Sequence, residues 1–243
     1  MSHQLNPLQA EAVAHLHSPL LVLAGAGSGK TRVIAQKIIH LIENCNYRPH
    51  KIFAVTFTNK AAREMGDRVK KLMGTKKTRG LQVSTFHTLG LKIIRSEYQR
   101  LDFKQNLSIY DSEDAQNLLA DILVSSKEDI SDKIQDIQNQ ISVLKSDGIS
   151  PERAFDIAND DRSFFIAKLY AQYQKKLHIY NAVDFDDLIF LPLQLFKTNP
   201  DVLEKWQNKI QYLLVDEYQD TNQTQYELVK LLVGASGKLT VVG

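Results

Sequence analysis

A glycine-rich segment between an apolar stretch and an amphipathic stretch places the strongest constraint on the fold. The apolar residues 20–24 are followed by Gly25-Ala26-Gly27-Ser28-Gly29-Lys30-Thr31. Apolar side chains then recur at helical spacing up to Glu43, at Val33, Ile34, Ile38, Leu41 and Ile42. This order predicts a strand, a loop and a helix, an arrangement that suits phosphate binding at a helix N-terminus.

Residues 24–31 fit the P-loop pattern G-x-x-x-x-G-K-[ST], except that Ala24 takes the place of the first glycine. Small residues let successive backbone N–H groups curl around phosphate oxygens. In this interpretation Lys30 reaches the β- and γ-phosphates of ATP, and the Thr31 hydroxyl binds Mg²⁺. The alternative is a flexible glycine-rich turn with a chance lysine, which the flanking strand and helix patterns disfavour.

An acidic pair follows a second apolar strand pattern. Leu213-Leu214-Val215 leads directly into Asp216 and Glu217, which is the form of a Walker B site. Asp216 is predicted to hold Mg²⁺, and Glu217 to polarise the attacking water as general base. By itself such a pair is more often a solvated surface. Together with the loop, it predicts a catalytic set of Lys30, Asp216 and Glu217.

The remaining patterns alternate between strand and helix, which favours an α/β fold with a parallel sheet. Strands are predicted at residues 52–56, 81–85, 211–215 and 239–242, and helices at 60–73 and 223–232. From 111 to about 181 the periodicity is helical, with one apolar stripe at Ile130, Ile134, Ile137, Ile141 and Leu144. Ser150-Pro151 is typical of a helix start. We interpret this region as an inserted helical domain.

Composition limits the classes of function. With 243 residues, 43% of them hydrophobic, the chain has enough apolar material for one or two domains. The formal net charge of +2 does not indicate nucleic acid, but residues 60–79 hold eight lysines and arginines against two acids, a local excess of +6. Cys45 is the only cysteine, which excludes an intrachain disulfide and favours a reducing compartment. The patterns of secretion signals and membrane spans are not met, so we expect a cytoplasmic protein with no membrane partner.

Five short stretches carry a resemblance to a known family. They are Leu5–Gln9, Thr56–Met65, Ser84–His87, Val183–Leu188 and Val215–Asn222. In this order and spacing, together with the P-loop, they resemble the Q motif and motifs I, Ia, Ib and II of superfamily 1A DNA helicases of the Rep/UvrD type. The resemblance covers essentially the whole chain, tightly around the ATP site and loosely in the helical insertion.

The resemblance implies a RecA-like P-loop NTPase domain whose parallel sheet is flanked by helices and interrupted by an all-helical domain. Residues 1–85 and 185–243 would form the RecA-like domain 1A, and residues 86–184 the inserted domain 1B. Gln9 would read the adenine, and Arg32 would lie near the nucleotide. The metal ligands would be Thr31 and Asp216. The cofactor-binding residues would be Gln9, Ala24, Gly25, Ala26, Gly27, Ser28, Gly29, Lys30, Thr31 and Arg32.

The resemblance also implies a surface for single-stranded DNA. An aromatic ring offers a sequence-tolerant platform for a base, while hydroxyl, amide and ammonium groups hold the backbone. Without the resemblance, the two phenylalanines of this surface are equally well explained as core residues, and the basic run as a solvated helix face. The residues implied are Phe57, Thr58, Asn59, Lys60, Thr85, Phe86 and His87.

These features predict the ATP-binding portion of a 3′ to 5′ DNA helicase and single-stranded DNA translocase, the direction being implied by the family alone. The expected partners are single-stranded DNA, duplex junctions and replication or repair proteins, and the chain itself is expected to be a monomer. Two alternatives stay open: the motor part of a helicase-nuclease, or a nucleotide-gated module that binds DNA or a partner without turnover.

The last residue, Gly243, directly follows an apolar strand pattern, so we expect a longer protein. In the family, motifs III to VI and the arginines that stabilise transition-state charge would follow. Such arginines contribute about 10³ to 10⁵ in rate. We therefore expect this chain to bind nucleotide weakly and to hydrolyse it poorly.

Overall fold

The computed structural model describes residues 5–25, 27–125 and 134–243. In this part of the chain the strands are β1 (Leu20–Val22), β2 (Ile52–Thr56), β3 (Gln82–Thr85), β4 (Ser108–Ile109), β5 (Ala182–Val183), β6 (Tyr212–Val215) and β7 (Leu239–Val242). The α-helices are α1 (Pro7–Ala14), α2 (Lys30–Glu43), α3 (Asn59–Met73), α4 (Phe86–Ser96), α5 (Ser112–Ser125), α6 (Ile134–Ser146), α7 (Pro151–Ile157), α8 (Asp161–Ile179), α9 (Asp187–Thr198), α10 (Pro200–Lys209) and α11 (Gln223–Val233).

The chain forms two compact units. The first contains the described residues of 1–89, 199–221 and 229–243. The second contains the described residues of 90–198 together with 222–228. Each unit has a core of its own, because the buried apolar residues fall into separate clusters.

A five-stranded parallel sheet organises the first unit. Its strand order is β1-β7-β6-β2-β3, and every neighbouring pair is parallel. All five residues of β2 and all four of β6 are buried, as expected for central strands that are covered on both faces. The predicted α/β class with a parallel sheet flanked by helices is confirmed.

The main core of the first unit lies between this sheet and the helices α2 and α3. Ile34, Ile38 and Leu41 of α2 are fully buried, as are Met65 and Val69 of α3. Their spacing of three or four residues places them along one stripe of each helix. The helical pattern read from the sequence therefore corresponds to the face that packs on the sheet.

The second unit is built mainly from the helices α5 to α8, which share one apolar core. The predicted helix start at Ser150 is confirmed, because its side chain accepts a hydrogen bond from the Arg153 N–H and Pro151 is the first helical residue. In the apolar stripe, Ile137 and Ile141 are buried, and Ile134 and Leu144 pack against the core. Ile130 lies outside the described residues.

The expectation of an all-helical insertion is wrong in one respect. Strand β4 pairs in parallel with β5, with Ser108 opposite Ala182 and Ile109 opposite Val183. A two-residue strand is too short for period-two alternation, and its partner lies more than 70 residues away in the chain. The sequence pattern therefore gives no local signal for this ladder.

The sequence-based limits of 85 and 184 differ from the two units, chiefly over residues 185–198. Helix α9 groups with the second unit. Its Asp187 accepts a hydrogen bond from Lys145 of α6, and its Leu188 lies in a buried cluster with Val183. The assignment of these segments to domains 1A and 1B stays a prediction.

No helix in the described ranges combines the length and the apolar character that crossing a membrane requires.

Candidate nucleotide site and nucleic-acid interface

The loop between β1 and α2 has a left-handed backbone at two of its glycines. Gly27 has φ +76° and Gly29 has φ +88°, a left-handed region that favours glycine because it has no Cβ. Gly29 is also the N-cap of α2. Among the described residues, and apart from the immediate chain neighbours, no atom lies within 4 Å of a Cβ added at Gly25 or Gly27. Ala26 lies outside the described residues.

Ala24, which departs from the P-loop pattern, lies where the sheet hydrogen bonding continues. Its N–H donates to the carbonyl of Gly243 at 3.0 Å, and the Gly243 N–H donates to the carbonyl of Val22, also at 3.0 Å. This position extends the ladder between β1 and β7. Since the left-handed backbone occurs only further along the loop, alanine is compatible with this position.

The structure brings the predicted catalytic residues and the predicted metal ligand Thr31 together in two pairs. The Lys30 ammonium donates to Glu217 Oε2 at 3.0 Å, and the Thr31 hydroxyl donates to Asp216 Oδ2 at 3.1 Å. Parallel strands end at the same edge of a sheet, and β1 and β6 are separated only by β7. The loop after β1 and the carboxylates after β6 therefore meet, although they lie more than 180 residues apart in the chain.

The two carboxylates have different environments. Asp216 is 2% exposed, and burial raises its pKa, an effect that the Thr31 hydrogen bond opposes. Glu217 has a side chain that is 41% exposed. Hydrogen bonds from Gln219, at 2.7 Å, and from Lys30 lower the pKa of Glu217. Glu217 is consequently ionised at neutral pH and directed toward Lys30, while Asp216 lies deeper and is directed toward Thr31.

The backbone at Glu217 explains this divergence. Its φ of +53° lies in the left-handed region, which is uncommon for a residue with a Cβ and is enriched at functional sites. The Glu217 N–H donates to Asp216 Oδ1 at 3.1 Å, which fixes the turn. Two adjacent acids thereby point to different partners instead of sharing one.

The residues at this edge of the sheet fit a magnesium-triphosphate. Thr31 and Asp216 offer the hard oxygen ligands that Mg²⁺ prefers. The first N–H groups of α2 have no acceptor within the helix, and the helix N-terminus favours an anion. Arg32 Nη2 is buried with no hydrogen-bond partner among the described residues, and a buried donor of this kind calls for an acceptor. A bound Mg²⁺ would neutralise phosphate charge at this point.

Gln9 contacts the loop directly. Its side-chain amide donates to the Ser28 carbonyl at 3.0 Å, and its Oε1 accepts from the Asn6 N–H at 3.1 Å in a capping box at the start of α1. An added Cβ on Gly29 would lie 3.4 Å from Gln9 Nε2. The structure thus places Gln9 against the loop, while its role toward adenine stays a prediction.

The predicted DNA-binding residues that come directly after β2 differ in their exposure to solvent. Phe57 is half-buried, and Asn59 and Lys60 are exposed at the start of α3. The hydroxyl of Thr58 is the N-cap of α3, accepting from the Ala61 N–H at 3.1 Å. Thr58 therefore has a local structural task, and Asn59 and Lys60 remain the polar groups most open to a ligand.

The predicted DNA-binding residues at the end of β3 and the start of α4 are largely buried. Phe86 is 2% exposed and contacts the Phe57 ring edge-on, with ring centroids 5.7 Å apart. Thr85 is also buried and exchanges hydrogen bonds with Thr88. His87 is half-buried, and burial lowers its pKa, so it is neutral at pH 7. Phe86 therefore supports Phe57 from below, in agreement with the alternative that it is a core residue.

A groove beside α3 and β3 adds residues that the motif comparison did not single out. It has a volume of about 420 Å³ and is lined by Asn59, Arg63, Lys70, Ser84 and Thr88 among others. Arg63 lies one helical turn after Asn59, and Thr88 one turn after Thr85, so helical spacing from the predicted residues is the signal that could have found them. Arg63 and Lys70 of this lining belong to the basic segment 60–79.

Comparison with known proteins decides the family. Residues 5–243 match the family described as UvrD/REP helicase N-terminal domain. The chain belongs to this family. The relatives of the chain include proteins named ATP-dependent DNA helicase Rep and ATP-dependent DNA helicase PcrA.

The similarity to these UvrD/REP relatives is high over a limited part of their length. The chain is 52% identical over 240 residues to the ATP-dependent DNA helicase Rep of Escherichia coli (strain K12), covering 99% of the chain and 36% of that protein. The Salmonella typhimurium Rep gives the same identity and coverage. The ATP-dependent DNA helicase PcrA of Staphylococcus aureus is 43% identical over 243 residues, covering 99% of the chain and 33% of that protein. The chain spans about a third of the length of these relatives.

Proposed function

We propose that this chain is the ATP-binding and single-stranded-DNA-binding portion of an ATP-driven 3′ to 5′ DNA helicase and translocase. The observation that carries the proposal is the meeting of Lys30 with Glu217 and of Thr31 with Asp216 at one edge of the sheet. Family membership and the names of the relatives support the motor activity. The sheet would be RecA-like, and the direction follows the family resemblance.

In this proposal each side chain has one task. The Lys30 ammonium, which can only donate hydrogen bonds, leaves Glu217 and donates to a phosphate oxygen when the nucleotide binds. Thr31 and Asp216 would hold Mg²⁺, which would neutralise phosphate charge when bound. Glu217, released from Lys30 but still bonded to Gln219, is free to accept a proton from water as general base. The partners would be single-stranded DNA, duplex junctions and replication or repair proteins in the cytoplasm.

Replacing Lys30 tests the nucleotide site. In the purified 243-residue chain, Lys30→Ala is expected to weaken binding of a fluorescent ATP analogue roughly 10- to 100-fold, because one charged hydrogen bond to phosphate is lost. Glu217→Gln is expected to bind at least as tightly as the wild type, since Lys30 no longer has to leave an ion pair. The exposed Lys71→Ala is the control. Unchanged affinity in a folded Lys30→Ala protein would contradict the assignment.

Replacing Phe57 tests the DNA surface. Phe57→Ala is expected to weaken binding of a fluorescently labelled oligothymidine about 5-fold or more, because a stacking platform contributes about 1–3 kcal/mol per base. Phe57→Tyr keeps the ring against Phe86 and should retain most of the affinity. Salt-dependent binding that is as tight in Phe57→Ala as in the wild type would favour the alternative of a nucleotide-gated binding module.

A further inference from the structure

A lysine with no place in the nucleotide chemistry is completely buried in α2. Lys37 is 0% exposed, beside the equally buried Ile34, Ile38 and Leu41. Its ammonium donates to the carbonyl of Ala12 at 3.0 Å and also to the carbonyl of His15. It lies 5.7 Å from the centre of the Tyr212 ring. Burying a charged ammonium costs free energy unless it makes hydrogen bonds. The two hydrogen bonds of Lys37 offset that cost, and we infer that they serve a purpose beyond packing.

Both carbonyls lie at the C-terminal end of α1. The last carbonyls of a helix accept no hydrogen bond from within the helix, and they form the negative end of its dipole. An ammonium is the side-chain group best suited to satisfy several of them at once. Lys238 acts at the same end, because it donates to the carbonyl of Leu16 at 3.0 Å. Two lysines from the body of the first unit therefore hold the end of α1.

Apolar burial contributes little to the attachment of α1. Among its eight residues only Val13 is buried, while Leu8 is 76% exposed. At the other end of this short helix, Gln9 contacts the phosphate loop through Ser28. A helix of eight residues is about 12 Å long, and its backbone hydrogen bonds connect each turn to the next. A displacement at its C-terminal end would thus be transmitted to Gln9.

We propose that Lys37 is a positioning residue that fixes α1 and thereby holds Gln9 at the loop, which sets the preference of the site for adenine over guanine. This inference rests on the proposed function, because it takes the loop to bind ATP and Gln9 to face the base. Burial lowers the pKa of Lys37 to about 8, so its ammonium is still charged at pH 7. Lys37 itself does not touch the nucleotide.

The test compares base selectivity with phosphate binding. In the 243-residue chain, Lys37→Met keeps the length and apolar stem of the side chain but removes the ammonium. It is expected to weaken binding of a fluorescent ATP analogue ~5-fold, the size of one or two hydrogen bonds, with little change for the GTP analogue. Competition by inorganic tripolyphosphate should be unaffected. Lys37→Arg keeps the charge and should restore part of the preference.

A double variant separates positioning from general loss of structure. In the Gln9→Ala background, adding Lys37→Met should no longer change the ratio of ATP to GTP affinity, since the group that is positioned is already absent. Equal losses for ATP, GTP and tripolyphosphate would overturn the proposal, as would an unchanged ratio in folded Lys37→Met. If Lys37→Met does not fold, Lys238→Met takes its place and is also expected to lower the ratio of ATP to GTP affinity. An unchanged ratio in Lys238→Met would then overturn the proposal.

The outcome is distinguishable from failure of the proposed function. If the wild-type chain binds no ATP, or binds it equally well after Lys30→Ala, the nucleotide site itself is wrong. If ATP binding depends on Lys30 and prefers adenine, but the preference survives Lys37→Met, only the role of Lys37 is wrong.

Discussion

Gly90→Ala is expected to prevent the second unit from folding. Gly90 lies in α4, and an added Cβ would lie 1.6 Å from the carbonyl oxygen of Leu188 and 2.8 Å from its carbonyl carbon. Both atoms are backbone, so no side-chain rotation relieves the overlap. Overpacking against side chains typically costs about 1–3 kcal/mol, and moving the start of α9 costs more. Native domains are stable by only about 5–15 kcal/mol.

Gly66→Ala provides the matched control for this prediction. Gly66 also lies inside a helix, α3, but its added Cβ would meet only the Val83 Cβ at 4.0 Å. Alanine is favoured over glycine in a helix by about 1 kcal/mol, so this variant should be as stable as the wild type or more so. Urea unfolding followed by circular dichroism measures both. A Gly90→Ala protein that unfolds at the wild-type urea concentration would refute the close approach.

The elements that build the sheet could be predicted because their signals are local. The strands 52–56 and 239–242 have the predicted bounds, since a short, mostly apolar run between polar turns is typical of a buried strand. The glycine-rich segment predicted a loop between a strand and a helix, and the structure places that loop between β1 and α2. The meeting of the loop with Asp216 could also be expected, because parallel strands end at one edge.

The features that escaped prediction depend on partners distant in the chain. The sequence around Gly90 gives no sign that the backbone carbonyl of Leu188 packs against it. Lysine is ordinarily exposed, so Lys37 and Lys145 appear to be surface residues until their acceptors are known. Phe86 and Phe57 have similar sequence contexts, yet one is buried and the other only half-buried. Local patterns indicate an element and its face, but not which buried position receives a polar group.

The stretch Val183–Leu188, one of the five that carry the family resemblance, contributes to a buried ion network in the second unit. Lys145 of α6 is 0% exposed and donates to Asp184 Oδ2 at 2.7 Å and to Asp187 Oδ1 at 2.8 Å. The Tyr173 hydroxyl donates to Asp184, and the Gln174 amide donates to Asp187. The carboxylates also accept from each other's backbone N–H groups. These two acids are therefore occupied within the unit.

The protonation of this network depends on the lysine. Burial opposes the charge of Lys145, but the two carboxylates outweigh it and raise the pKa of the ammonium. Burial also opposes the charge of Asp184, and Lys145 outweighs it, so that the pKa of Asp184 is lowered. Burial and the neighbouring Asp184 raise the pKa of Asp187 to about 6. The single Lys145 ammonium thus stabilises the charge of two neighbouring buried carboxylates at neutral pH.

Lys145→Met is expected to destabilise the chain by about 3–5 kcal/mol at pH 7, because it leaves buried carboxylates without their counter-charge. In the variant, the folded-state pKa of Asp184 rises above its unfolded value, and the pKa of Asp187, which is already raised, rises further. The folded state then binds more protons, so the destabilisation is largest at pH 7 and shrinks as the pH falls through the raised values. Urea unfolding at pH 7 and pH 5 measures this difference. The exposed Lys175→Met should stay within about 0.5 kcal/mol of the wild type. An equal loss of stability at both pH values would show that Lys145 contributes packing alone.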